Sequence, residues 1–144
     1  MNTIIALRGI GNSGKSETLR ILHEILLENG FIVIESNYRP NRKDFYSILN
    51  KNEILIGITS LGDTYEILKN KLDLFIGRNC KVCVCACRSR GGTNYVLLEY
   101  PGYISEFVEK TIKSNLDNRN EINRDDADTL FSTINNLVTN MNGR

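Results

Sequence analysis

The most restrictive feature of the chain is a change of character within its first 30 residues. Thr3 to Leu7 is a continuous apolar, β-branched run, which suits a strand covered on both faces. It breaks at Gly9-Ile10-Gly11-Asn12-Ser13-Gly14-Lys15-Ser16. From there Leu19, Leu22, Ile25 and Leu26 recur at three- and four-residue steps up to Asn29-Gly30, where a glycine can close a helix in the left-handed conformation. A strand, a glycine loop and an amphipathic helix in immediate succession point to an α/β fold.

The alternation continues downstream. Phe31 to Ile34 reads as a second short buried strand, and Ile54 to Ile58 as a third, running into Thr59-Ser60-Leu61-Gly62-Asp63. A helix follows with Tyr65, Leu68, Leu72 and Phe75 on its inner face, and Cys80 to Cys87 makes a fourth strand. Between the second and third strands, Ser36 to Asp44 has turn and charge composition, and Pro40 argues against a helix there. Phe45 to Leu49 is expected as a helical turn or two, Tyr95 to Leu98 as a fifth strand, and Ile104 to Leu116 as a helix. Asp117 to Asp126 reads as a linker or helix start, and Leu130, Ile134, Leu137 and Met141 form the apolar stripe of a last helix.

Strands and helices at this spacing predict a mainly parallel sheet of about five strands with right-handed crossovers and helices on both faces. Ligands of such sheets lie beyond the strand C-terminal ends. The loops after Leu7, Ile34, Ile58 and Cys87 are therefore expected to converge. At 144 residues and 41% hydrophobic, one core is expected, so 1–144 is read as a single domain.

Eighteen Lys+Arg against 17 Asp+Glu leave a formal charge of +1, so the molecule as a whole carries no strong pull toward nucleic acid or an anionic membrane. The basic loop Arg39, Arg42 and Lys43 has no aromatic platform beside it, and nucleic acid is not an expected partner. No stretch approaches the roughly 20 apolar residues that cross a bilayer, and the N-terminus lacks the shape of a signal peptide. A cytoplasmic location with reduced thiols at Cys80, Cys83, Cys85 and Cys87 is the expectation.

Gly9 to Ser16 fits the phosphate-binding pattern of glycine, four residues, glycine, lysine and a hydroxyl residue, between a strand and a helix as its mechanism requires. Gly9, Gly11 and Gly14 let the backbone bend so that amides near Asn12, Ser13, Gly14, Lys15 and Ser16 can face an anion. The helix N-terminus adds its dipole. Lys15 would meet the β- and γ-phosphate oxygens, and the Ser16 hydroxyl would coordinate Mg²⁺.

Through these residues the chain resembles the P-loop NTPase superfamily, well over roughly the first 35 residues and beyond that as an α/β pattern only. The resemblance implies a three-layer P-loop NTPase-like sandwich that binds ATP or GTP with Mg²⁺. It also implies an acidic element at the end of a neighbouring strand that helps order the metal, and here the sequence departs from the pattern. The third strand ends in Thr59-Ser60, and the nearest acid is Asp63, a candidate metal-side acid and equally a candidate cap for the following helix. Glu35, ending the second strand, is either a base for a hydroxyl acceptor or a solvated strand end.

Arg88 and Arg90, in Arg88-Ser89-Arg90-Gly91-Gly92-Thr93, start at the expected ligand edge. They either stabilise charge on a transferring γ-phosphoryl group, as lid arginines of P-loop kinases do, or are simply solvated. Asn70-Lys71-Leu72-Asp73 spells a guanine-recognition motif, but inside a helix and without a switch motif, so it is read as a chance match. Cys83, Cys85 and Cys87 fall on one face of a strand about 6 to 7 Å apart and cannot converge on one zinc ion. They are read as core, with His23 as a helix residue away from the strand ends.

Two functions remain open from the sequence. One is a small kinase or NTP hydrolase using Lys15, Ser16, Asp63, Arg88 and Arg90. The other is a nucleotide-dependent switch with little or no turnover, acting on a small-molecule or protein partner. A domain that keeps the loop for another anion or for stability fits the lysine least well.

Overall fold

The structure, a computed structural model, describes residues 2–89, 93–112 and 119–142. The first strand is β1 (Thr3–Gly9), whose Ile4, Ile5, Ala6 and Leu7 are fully buried. It feeds the glycine loop and then α1 (Lys15–Glu28). The chain continues through β2 (Ile32–Ser36), β3 (Tyr46–Lys51), β4 (Ile54–Thr59), α2 (Tyr65–Gly77) and β5 (Val82–Arg88). A short α3 (Thr93–Val96) and a 3-10 turn over Leu97–Glu99 lead into β6 (Ile104–Glu109) and α4 (Arg119–Asn142).

All six strands form one sheet in the order β2-β3-β4-β5-β1-β6. β1 pairs in parallel with β5 and β6, and β4 in parallel with β5. β3 runs antiparallel to both β2 and β4. The class is α/β as expected; the sheet has six strands where about five were expected, and it is mixed, with three parallel pairings and two antiparallel ones that both involve β3.

The cause sits in a two-residue turn. Asn52 and Glu53 both hold positive φ (53° and 68°), with Lys51 paired to Ile54 across them. A turn of this kind matches the twist of the flanking strands. Phe45 to Leu49, expected as helical, therefore runs into β3, where Tyr46 to Leu49 pair with β4.

The third part of the chain departs further from expectation. Tyr95 to Leu98 belongs to α3 and the 3-10 turn, not to a strand. Ile104 to Leu116, expected as a helix, begins with β6, and its residues 113–116 lie outside the described set. β6 pairs only along β1, so most of its side chains are not buried and its composition carries no apolar stripe. β2 is likewise an edge strand. Phe31 before it is buried, but Ile32 and Ile34 are 67% and 58% exposed, so the expectation of a buried strand there is also corrected.

Alternation along the inner strands divides the core in two. On β5, Val82, Val84 and Ala86 pack with Leu19, Leu22 and Leu26 of α1 and Leu130, Ile134 and Val138 of α4. Cys83, Cys85 and Cys87 point the other way, against Leu68, Leu72 and Phe75 of α2 and Val96 and Leu97. The sheet thus has helices on both faces. The cysteines are core residues: all four are fully buried, and burial pushes the Cys80 thiol up to about 12 and that of Cys87 up to about 11. No helix among the described residues is long and apolar enough to cross a membrane.

Gly57 on β4 makes the α2 packing possible, because a Cβ there would fall 2.3 Å from the Phe75 ring. Gly57→Ala is expected to destabilise the fold by about 1–3 kcal/mol through overpacking, measured as a shift in urea midpoint at constant slope. An unchanged midpoint would mean that Phe75 does not lie on that strand. The native protein should also resist alkylation at all four cysteines at pH values near 8, where a thiolate is needed and burial withholds it. Rapid labelling without denaturant would contradict the burial of β5.

Candidate functional site

The loop leaving β1 is shaped by contacts that a larger residue would break. A Cβ on Gly9 would lie 2.9 Å from Lys110 Cβ and 3.0 Å from Ser13 Oγ. Gly14, with φ +95°, starts α1 from a left-handed conformation, and a Cβ there would lie 2.6 Å from Asn123 Oδ1. Asn12 also holds positive φ, at 59°. Ser13 Oγ donates to Ile10 O at 2.7 Å, and Thr18 N and Oγ1 donate to Gly14 O at 2.9 and 2.7 Å.

The loop closes around Lys15. Its ammonium donates to Gly9 O and Ile10 O, both at 2.7 Å. Burial and then the nearby Arg88 guanidinium lower its pKa, Lys110 adds to that, and Cys87 and Asp63 oppose it. The first amides of α1 have no partner within the helix, as at any helix N-terminus, and give this end a positive potential.

Four loops meet here around a cavity of about 290 Å³. The glycine loop and α1 supply Gly11 to Glu17, and the segment before β3 supplies Lys43. Ser60, Gly62 and Asp63 come from beyond β4, Ala86 and Arg88 from the end of β5, and Arg119 from the first turn of α4.

The acids are placed differently from the sequence expectation. Asp63 is 79% exposed at its side chain and pairs with Arg88 at 3.6 Å. It does not cap α2, since Thr64 accepts from Ile67 N there. The carboxylate beside the loop hydroxyl is Asp44, whose Oδ1 accepts from Ser16 Oγ at 3.4 Å and from Ser60 Oγ at 3.5 Å. Glu35 turns to the α2 side, accepting from Tyr46 OH at 3.0 Å and Arg78 Nε at 3.2 Å. Arg90 lies outside the described residues.

Other expectations resolve simply. Asn70 to Asp73 lies within α2, with Leu72 in the core and Asp73 accepting from Tyr100 OH at 2.7 Å. His23 is buried within the molecule, away from the cavity lining.

The sequence reading missed Asp44 and Arg119. Arg119 Nη2 donates to Asn12 O at 3.0 Å and lies 3.9 Å from Glu17. Behind the loop, Lys110 meets Asp126 at 2.8 Å, and Asp126 also accepts from Thr111 N at 3.0 Å and Thr111 Oγ1 at 2.7 Å. This cluster ties α4 to the end of β6, directly behind Gly9. No local pattern announces such a contact, because its partners are far apart in the chain.

Comparison with known proteins adds no family: no family model, curated protein or solved structure matches the chain.

Lys110→Met strands Asp126 without its cation in a buried setting, so a loss of about 3–5 kcal/mol is expected in chemical denaturation. The double variant Lys110→Met/Asp126→Leu should recover part of that loss. If the single variant is neutral, the pair does not hold α4 to the loop.

Proposed function

We propose that the cavity binds a nucleoside triphosphate, ATP or GTP, with Mg²⁺, and that the protein transfers or hydrolyses its γ-phosphoryl group. The observation that carries this reading is the Lys15 ammonium enclosed by a glycine loop at the strand C-terminal edge, with the Ser16 hydroxyl and the Asp44 carboxylate side by side. On the same reading, helices on both faces of the sheet, with β1 held between β5 and β6, form a P-loop NTPase-like three-layer sandwich.

The oxygen donors suit Mg²⁺. Among the described residues no three carboxylate, imidazole or thiol groups gather as a metal cluster. An ion here would take one carboxylate, hydroxyls, water and phosphate oxygens, which is the usual manner of Mg²⁺. Ser16 and Asp44 would hold it, with Asp63 the second candidate acid, and the ion would neutralise charge on the β- and γ-phosphates. Lys15 would exchange the loop carbonyls for phosphate oxygens. Arg88 would leave Asp63 to meet charge developing on the transferring group, and Arg90 follows two residues later in the sequence.

A switch with little or no turnover is the second reading. It is favoured by the engagement of the described acids near the cavity: Asp63 with Arg88, Glu17 with Arg119, and Asp44 with two hydroxyls. On either reading the partners are the triphosphate and a small molecule or protein, in the cytoplasm, where thiols stay reduced.

Calorimetric titration with ATP and GTP, with and without Mg²⁺, tests the reading directly. Lys15→Ala should weaken triphosphate binding or abolish turnover while leaving the fold intact. Asp44→Asn should reduce Mg²⁺-dependent affinity by roughly 10–100-fold, and Asp63→Asn by much less. Equal effects of the two would return the metal role to Asp63. Arg88→Ala should slow turnover on the order of 10²-fold with little change in affinity if the protein is an enzyme, and absent turnover in the parent would favour the switch.

A further inference from the structure

Between β2 and β3 the chain makes an excursion that carries Lys43 to the cavity wall and Asp44 to the Ser16 and Ser60 hydroxyls. Both ends of the excursion rest on one side chain of α1. The buried His23 ring stacks on Tyr38 with centroids 4.4 Å apart and planes at 28°. It meets Phe45 edge-on at 5.3 Å, and Tyr38 and Phe45 meet each other at 5.1 Å. His23 Nε2 lies 2.8 Å from Ser47 Oγ, which shares a hydrogen bond with Ser36 Oγ on β2. Nδ1 is buried without a hydrogen-bond partner.

We propose that His23 is the positioning residue that pins the segment from Tyr38 to Phe45, and with it Asp44 and Lys43, against the cavity, and that protonating its imidazole releases the segment. A neutral imidazole suits its surroundings, since one nitrogen pairs with Ser47 and the other carries no proton that needs a partner. An imidazolium must place a proton on both nitrogens, which strands a donor at Nδ1 in a closed aromatic setting. Burial accordingly lowers the His23 pKa from its ordinary 6.5, with Glu24 opposing.

The charged and titratable groups around the ring are few among the described residues. Glu24 lies on the same helix and accepts from Tyr38 OH at 2.7 Å. Tyr38 covers the ring face from the excursion, and Arg20 acts on Tyr38. β3 contributes the Ser47 hydroxyl, with the Phe45 ring just ahead of it. The sign follows from the lowered pKa: the pin is complete above pH 6.5 and is lost as pH falls through the folded-state value, because the released state takes up the proton more readily.

The consequence for nucleotide binding rests on the triphosphate reading, whereas the pinning itself does not. His23 is the only histidine of the chain, so its imidazole signal in an NMR titration is unambiguous. The imidazole should titrate below its ordinary value, and the backbone amides of Lys43 and Asp44 should shift with the same midpoint. In His23→Phe, which keeps a ring between Tyr38 and Phe45 but cannot take a proton, those amides should stop responding between about pH 5 and about pH 7. Over the same interval Mg²⁺-dependent ATP affinity should fall roughly 10-fold in the parent and stay level in the variant. Amides that ignore the imidazole midpoint, or an unchanged pH dependence in His23→Phe, would overturn the proposal. If the variant does not fold, the parent titration decides alone. Amides that follow the imidazole in a protein that binds no triphosphate would support the pin and overturn the nucleotide reading instead.

Discussion

β1 cannot shift to make room for its loop. Its central residues are fully buried and hydrogen-bonded in parallel to β5 on one side and β6 on the other, so Gly9 emerges at a fixed place. There it meets Lys110 Cβ and Ser13 Oγ at distances that leave no space for a side chain. The backbone of the loop must then curl, and the carbonyls of Gly9 and Ile10 turn onto the Lys15 ammonium. Gly14 starts α1 from the left-handed region against Asn123. The far end of the chain therefore shapes a loop encoded near its start, and the Lys110 to Asp126 pair holds that end in place.

The electrostatics follow from this crowding. Lys15 gives up part of its hydration on burial, and Arg88 and Lys110 both oppose its charge. Two backbone carbonyls replace the lost water only in part. With Lys43, Arg88 and Arg119 also on the wall, a polyanion would relieve repulsion that the protein alone relieves through Asp63 and Glu17.

What was legible in the sequence was whatever the core imposes on local pattern. α1, α2 and α4 show their buried stripes because one face of each meets the sheet, and β1, β4 and β5 read as apolar runs because both faces are covered. The edge strand β6 escaped for the opposite reason. β6 places Ser105, Glu106 and Glu109 among apolar residues because little covers it, and its pattern mimics a helix. β3 escaped through its turn: Asn52 suits a positive φ, but Glu53 stands where glycine is usual, so the hairpin signal was incomplete. The glycine loop was legible because its chemistry is local. Asp44 and Arg119 were not, because an acid in a charged loop and an arginine in a polar stretch acquire meaning only when the chain brings them to Ser16 and Asn12.

The direction of β3 is what makes Asp44 available. A parallel strand would present its C-terminal end to the cavity, but β3 runs the other way, so the residues just before it lie at the ligand edge. The register pairs Tyr46 with Thr59, and the backbone locks one step further out. Phe45 O accepts from Ser60 N at 3.0 Å and Thr59 Oγ1 at 3.1 Å, and Phe45 N donates to Ser60 Oγ at 2.9 Å. Asp44 is thereby set beside Ser60 by bonds on the adjoining residue. Asp44 is fixed by the backbone next to it, whereas the exposed Asp63 sits opposite Arg88 at 3.6 Å. The antiparallel direction of β3 thus sets a carboxylate, Asp44, beside the end of β4, a strand that itself closes in Thr59 and Ser60.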